Sequence, residues 1–248
     1  MKILVCISHV PDTTSKINFI ENNSKFDKNG IQFVINPNDE FGLTRAIWFK
    51  EKLGASVDVI NVGLADTEPT LRKALAIGAD KAIRINSDPK NGLNVAKQIA
   101  HIVSSESYDL IIGGRESIDY NGGMVPGMIA GLTDYNFVDK CISLEINNDS
   151  ITAAREIEGG KQIIESNLPI VIAGQKGLVE ESDLRIPNMR GIMMARRKEL
   201  QVVDAIDEDN STCTVNFEKP KPKSEVTLVS SDNVDELINL LHNEAKAI

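Results

Sequence analysis

The sequence predicts an α/β protein on an open, doubly wound, mostly parallel sheet, with an added antiparallel section and an extended C-terminal arm. Three observations predict it. From Lys2 to Leu132 short apolar runs alternate with amphipathic stretches of helical period, as βαβ crossovers require. From Phe137 alternating runs set around turn signals replace that pattern, as antiparallel hairpins do. After Gly177 the core signal stops, and the chain turns charged and is broken by Pro187 and Gly191.

The elements follow in order. Lys2–Val10 reads as a buried first strand ended by Pro11-Asp12, and 13–30 as a loop or weak hairpin. Ile31–Ile35 is a short strand stopped by Asn36-Pro37. Asn38 or Asp39 is the expected cap of the helix that follows, whose Gly42, Ala46, Phe49 and Leu53 share one face. Ser56–Val62 is a core strand. Thr67 caps a helix through Leu71, Leu75 and Ile77, with Pro69 tolerated in its first turn. Lys81–Ile85 is a strand and Gly92–Ser105 an amphipathic helix. Asp109–Ile112 is a strand running into Gly113-Gly114, and Met124–Leu132 a helix of small residues. Lys140–Ile146, Ser150–Ile157 and Lys161–Glu165 make the antiparallel section around Asn147-Asn148-Asp149 and Gly159-Gly160, and Pro169–Ala173 is a last buried strand. Glu199–Ser224 is low in hydrophobicity and closes on Lys219-Pro220-Lys221-Pro222-Lys223, a stiff spacer. Asn233–Ala247 returns to an amphipathic helix with Val234, Leu237, Ile238 and Leu241 on one face, packed on a partner or back on its own domain. The expected division is 1–184, 185–198 and 199–248.

With 248 residues, 42% of them apolar, the chain can bury one sizeable domain. Its net charge of −9 argues against a nucleic-acid partner but not against a nucleotide, which backbone N–H groups and a helix N-terminus can hold. The opening apolar run is too short for a signal peptide, and no stretch reaches the length of a membrane span. Cys6, Cys141 and Cys213 are odd in number and form no Cys-x-x-Cys pair, so a cytoplasmic location is expected.

The clearest constellation for chemistry is Gly113-Gly114-Arg115-Glu116-Ser117-Ile118-Asp119-Tyr120-Asn121-Gly122-Gly123-Met124-Val125-Pro126-Gly127. A buried strand empties into a glycine-rich loop that opens a helix, the place where α/β sheets bind ligands. Glycines there let a backbone approach a phosphate, or they serve turns alone; the spacing matches neither standard phosphate-binding motif. Asn36-Pro37-Asn38-Asp39 follows another strand and reads first as a helix cap. Cys6 reads as a small core residue, His9 faces a possible cleft, and His101 and His242 are solvated or satisfied. No metal-ligand spacing or nucleophile–base set stands out. Met189, Met193 and Met194 beside Arg190, Arg196, Arg197 and Lys198 suit a surface that grips partners, or a helix with a methionine core face.

Together these segments resemble the β subunit of electron transfer flavoproteins. The resemblance runs through ILVCISHVPD (3–12), INPNDEFGLTRA (35–46), TLRKALAIGADKAI (70–83), GRESID (114–119), REIEGG (155–160), LPIV (168–171) and RIPNMRGIMMARRK (185–198). It implies an adenine-nucleotide-binding fold with Rossmann-like or flavodoxin-like layers. It also implies a heterodimer with a larger α subunit that holds most of one FAD, and AMP bound structurally by this chain. By position the nucleotide contacts would be Cys6, Asn36, Pro37, Asn38, Asp39, Val62, and Gly114 through Val125. The segment Arg185-Ile186-Pro187-Asn188-Met189-Arg190-Gly191-Ile192-Met193-Met194 would anchor flavin dehydrogenases, such as those of fatty acid oxidation, with Met189 where the family usually has leucine. Residues 199–248 would pack on the α subunit, and a membrane quinone oxidoreductase would take the electrons. The resemblance implies a carrier without substrate turnover of its own.

The chain departs from the family at Ser8-His9, where Lys-Arg is usual, at Thr13, and at Val125, where a threonine hydroxyl is expected. The alternatives are an electron-bifurcating form with a second FAD and a stand-alone ATP-binding protein of the same ancestry.

Overall fold

A computed structural model describes residues 1–147, 150–207, 212–222 and 225–248; the expected turn residues Asn148 and Asp149, and Lys223 of the spacer, lie outside these. Among the described residues nine strands form one sheet. At its centre is β1 (Lys2–Cys6). On one side lie β6 (Ser56–Val62), β7 (Lys81–Asn86) and, at the edge, β13 (Leu200–Asp204). On the other lie β8 (Leu110–Gly114), β12 (Ile170–Gly174), β9 (Asn136–Asn147), β10 (Ser150–Ile157) and β11 (Gly160–Asn167). Pairing is parallel from β13 through to β9, and antiparallel between β9 and β10 and between β10 and β11. The hairpins therefore extend a parallel sheet, as the change of pattern at Phe137 predicts.

Both faces are covered, which is why the central strands read as apolar runs. Ile3 and Val5 face one layer with α1 (Pro37–Leu53) and α2 (Glu68–Ile77), through Leu43, Ile47, Leu71 and Leu75. Leu4 faces the other with α3 (Gly92–Glu106) and α4 (Val125–Thr133), through Ile99, Val103 and Ile129. Burying each such side chain contributes roughly 1.5–3 kcal/mol. Gly42 brings α1 close to the sheet: a Cβ there would lie 2.7 Å from Ile112 Cγ2. Arg45 of α1 reaches the antiparallel section, bonding the Leu144 carbonyl and pairing with Glu145 at 2.6 Å.

Several expectations are corrected. Lys2–Val10 is not one strand: after β1 the chain leaves the sheet, and β2 (His9–Pro11) pairs antiparallel with β5 (Phe33–Ile35). The break falls at Ser8, whose N–H goes to a side chain instead of a ladder. The weak hairpin is β3 (Phe19–Ile20) with β4 (Lys25–Phe26), turned by Glu21, Asn22 and Asn23 at positive φ. Leu53 lies beyond the buried face and is 53% exposed. The core continues past Gly177, since Leu178, Val179 and Ala195 are buried, and β13 pairs with β7 where an extended arm is expected. Beyond it the arm runs over the β3–β4 hairpin, where Phe217 stacks on Phe19 at 4.7 Å between ring centroids. The terminal helix is shorter than its pattern. α6 (Val234–Asn239) passes into a π-turn at Leu240–Glu244, and Val234, Leu237 and Ile238 stay exposed.

Candidate functional site

The strand order reverses at β1, since the chain winds outward through β6 and β7 and returns on the other side through β8 and β12. A reversal of this kind opens a crevice at the carboxyl ends of the strands, here between β1 and β8. Three segments meet there: the exit from β1, the start of α1 and the exit from β8.

Asp39 joins all three. Its Oδ2 accepts from Ser8 N at 2.7 Å and its Oδ1 from Gly114 N at 2.7 Å. The N-cap lies two residues before Asn38. Asn36 stands at the N-cap and Pro37 in the first turn, where its fixed φ and missing N–H cost nothing. Neither Asn38 nor Asp39 caps. Asn36 Nδ2 and Asn38 Nδ2 donate to the Glu116 carbonyl at 2.9 and 3.0 Å, and Asn36 Oδ1 accepts from Ile118 N at 3.2 Å. The physical reason is that the irregular exits of two strands carry buried amides with no ladder partner, and these polar side chains satisfy them.

Gly114 is where this closeness requires glycine: an added Cβ would lie 2.4 Å from Asp39 Oδ1 and 2.7 Å from Asn38 Cβ. Burial pushes the Asp39 carboxyl up to about 6, against the opposing pull of bonds from Ser8, Asn36 and Gly114. Burial, and then the charge of Asp39, push the Cys6 thiol far above its ordinary range, which makes it inert as a nucleophile. Arg115 is tied down, its N–H to the Gly174 carbonyl at 2.7 Å and its guanidinium to Glu116 at 2.5 Å and Gln175 at 3.2 Å.

The loop then leaves the body of the sheet. Asp119 through Met124 are exposed, Tyr120 the most at 70%, and Asn121 and Gly123 take positive φ. Asn121 N bonds the Ser117 carbonyl at 2.8 Å, closing a turn ahead of α4. No side chain caps α4: its N-cap residue is Met124, whose side chain has no oxygen to offer. α3 by contrast is capped by Asn91, whose side chain accepts from Asn94 N at 2.9 Å. Met124 also abuts the start of α3, as a Cβ on Gly92 would lie 2.9 Å from its sulfur. Val62 is buried at the end of β6, and so is its neighbour Asn61. Asn61 donates through Nδ2 to the Ile7 carbonyl at 2.8 Å, while its buried Oδ1 has no hydrogen-bond partner among the described residues. A polar residue inside the apolar run SVDVINV was the available signal. Ser8 contributes through its backbone, which no sequence signal marks.

This rim can bind and orient a polar ligand. The uncapped start of α4 and the tight passage at Gly114 fit a nucleotide, which offers a phosphate. His9 is committed elsewhere. It stacks on Phe33 at 4.3 Å, and its Nδ1 lies 2.8 Å from Thr70 Oγ1. Burial holds its pKa below the usual histidine range.

The residues from Arg185 to Met194 gather on a different surface. They lead into α5 (Met189–Ala195), capped by Asn188, whose Oδ1 accepts from Gly191 N at 2.7 Å. Gly191 packs on α2 so closely that a Cβ would lie 2.3 Å from the Ala76 carbonyl oxygen. Arg72 of α2 donates to the Ala195 and Lys198 carbonyls at 2.8 Å, and Arg185 N donates to Thr44 Oγ1 at 3.2 Å. With its glycine and alanine turned inward, the helix presents its large residues outward. Met189, Met193 and Met194 are 76%, 68% and 51% exposed, beside exposed Ile186, Arg190, Arg196 and Arg197. A methionine core face is thereby excluded. Among the described residues no cluster of three potential metal ligands occurs, and no helix is long and apolar enough to cross a membrane.

Residues 24–208 match the model of the electron transfer flavoprotein domain family. Over the full length of both chains this protein is 32% identical to the electron transfer flavoprotein subunit beta of Bacillus subtilis. It is 32% identical to the mitochondrial one of Oryza sativa subsp. indica, again with full coverage of both chains. Identity to the Dictyostelium discoideum protein of that name is 30%, with 96% of this chain and 97% of the relative covered. The chain belongs to the electron transfer flavoprotein family, as one of its β subunits.

Proposed function

We propose that this β subunit pairs with a larger α subunit holding most of one FAD, and carries AMP as a structural ligand in the crevice between β1 and β8. In this reading the heterodimer is a cytoplasmic electron carrier. It accepts electrons from flavin dehydrogenases, such as acyl-CoA dehydrogenases, and passes them to a membrane quinone oxidoreductase without substrate turnover of its own.

The observation that carries the nucleotide reading is the convergence on Asp39 of two strand exits, beside an α4 start that no side chain caps. The backbone of the first turn of α4, from Val125 onward, would hold the phosphate. Because Val125 replaces a hydroxyl residue, every donor at that position is main-chain. Asn36 to Asp39 would act through the loops they brace, and Val62 as an apolar wall. Cys6 stays protonated and Asp39 is engaged with backbone amides, so neither is free to do acid–base work on a ligand. FAD supplies the redox chemistry when bound. This chain's part is to hold α5 rigid with an apolar, cation-flanked face outward, which suits a brief complex anchored by a few side chains.

The test is to denature the purified heterodimer and count released cofactors. One FAD and one AMP per dimer are expected. Two FAD and no AMP would assign the crevice to a second flavin, and ATP turnover by this chain alone would replace the carrier reading with an enzyme.

A further inference from the structure

We propose that Met189, Met193 and Met194 form an oxidation switch, a site at which a peroxide converts the thioethers of α5 to sulfoxides and thereby weakens docking. The proposal rests on the reading of α5 as the dehydrogenase anchor, and goes beyond it.

Three of the chain's six methionines sit on this one short helix. They are exposed, with Arg190 and Ile192, because Gly191 and Ala195 form the inward side, locked against α2 by the Ala76 contact and by Arg72. The helix cannot roll to bury its sulfur atoms without replacing Gly191 by a residue with a side chain, for which the Ala76 carbonyl leaves no room. Exposure of the thioethers is therefore a fixed property of the packing. Of the others, Met128 is half-buried, and Met1 and Met124 are 39% and 45% exposed, so Met189 and Met193 are the most exposed methionines in the chain. The apolar Ile186 beside them, at 84% exposure, offers no oxidisable atom.

The chemistry is a two-electron oxygen transfer. The methionine sulfur attacks one oxygen of hydrogen peroxide, the O–O bond breaks, and an S–O bond forms. The second oxygen leaves as water after a proton shift, so sulfur is oxidised and peroxide reduced. The product replaces a flexible apolar tip by a strong hydrogen-bond acceptor. On a face whose contacts are made by desolvated apolar tips, each buried sulfoxide lacking a donor is expected to weaken docking about tenfold. Methionine sulfoxide reductases reverse the change, so the site is switchable.

The experiment uses the whole heterodimer, limiting hydrogen peroxide, peptide mass spectrometry, and reduction by an acyl-CoA dehydrogenase with its acyl-CoA substrate. Sulfoxide is expected first at Met189 and Met193. The KM for the heterodimer should then rise about tenfold with kcat nearly constant, and methionine sulfoxide reductase should restore it. In a variant with Met189→Leu, Met193→Leu and Met194→Leu, the ratio of KM after peroxide to KM before should stay near one, whatever its starting value. Oxidation of Met124 or Met1 ahead of α5 would overturn the proposal with any donor. So would sulfoxide at Met189 and Met193 with an unchanged KM, or an equal rise in the leucine variant. Failure of the docking reading would look different: Met189→Ala would leave the KM of the unoxidised protein unchanged.

Discussion

Gly114 gives its backbone N–H to Asp39 at 2.7 Å, across 75 residues of sequence. The bond fixes the exit of β8 to the first turn of α1, and the partner oxygen of the same carboxylate fixes the exit of β1. The crevice is thus shaped by one buried acid that belongs to neither strand.

Gly114→Ala should disrupt that arrangement directly. The new methyl group meets Asp39 Oδ1 and Asn38 Cβ well inside contact distance, on a helix that is itself packed against Ile112. Overpacking of this kind costs about 1–3 kcal/mol. A lower melting temperature and loss of bound nucleotide from the purified heterodimer are expected, read by thermal denaturation and chromatography of the released ligand. Full nucleotide content would show that the crevice does not need the contact.

Asp39 should leave a signature in the pH dependence of stability. Its folded pKa, about 6, is raised above the unfolded value, so the folded state binds the proton more tightly. Its contribution is fully present below the unfolded pKa and is lost as pH rises through about 6, a difference of roughly 2–3 kcal/mol. Melting curves of the wild type and Asp39→Asn between about pH 4 and 7 isolate it. The wild type should lose ground to the variant up to about pH 6 and hold a constant difference above it. Parallel curves across the range would rule out the raised pKa.

Gly191→Ala and Met189→Ala separate the placement of α5 from its chemistry. The first forces the helix off the Ala76 carbonyl and the second removes an exposed tip from a helix left in place. Both should slow reduction by the dehydrogenase, on the order of tenfold, with nucleotide and FAD content unchanged. Loss of bound nucleotide in either variant would mean the two surfaces are not separate.

Tyr108→Phe tests the opposite end of the sheet. The buried Tyr108 hydroxyl lies 2.9 Å from Asp58 Oδ2 and 3.3 Å from Glu106 Oε2. Burial raises the Asp58 pKa, and the tyrosine bond works against that rise. Removing the hydroxyl should cost about 1–2 kcal/mol, visible as a lower denaturant midpoint with unchanged nucleotide content.

The parallel core was legible in the sequence because strands covered on both faces have no choice but to be apolar. The antiparallel section was legible because its turns carry Asn, Asp and Gly. What escaped depends on distant partners. β13 is an edge strand whose Leu200 to Asp204 are only half-buried or exposed, so its composition resembles that of an arm. Asp39 looked like a helix cap because its true partners, Ser8 and Gly114, are remote in sequence. The glycine loop is conspicuous in the sequence, whereas Asn61 is not, although its buried polar side chain interrupts β6. Sequence left the orientation of the methionines open, and it was decided by Gly191, one residue that lacks a side chain.

The helix α1 carries Asp39 in its first turn and Thr44, the acceptor for Arg185 N, five residues later. Those two attachment points are about 7.5 Å apart along one stiff rod. The crevice and the approach to α5 are therefore set out on a common ruler, and registration at one end is inherited by the other. A nucleotide that steadied the crevice would thereby steady the approach to α5 as well, which would give a ligand with no part in redox chemistry a mechanical role.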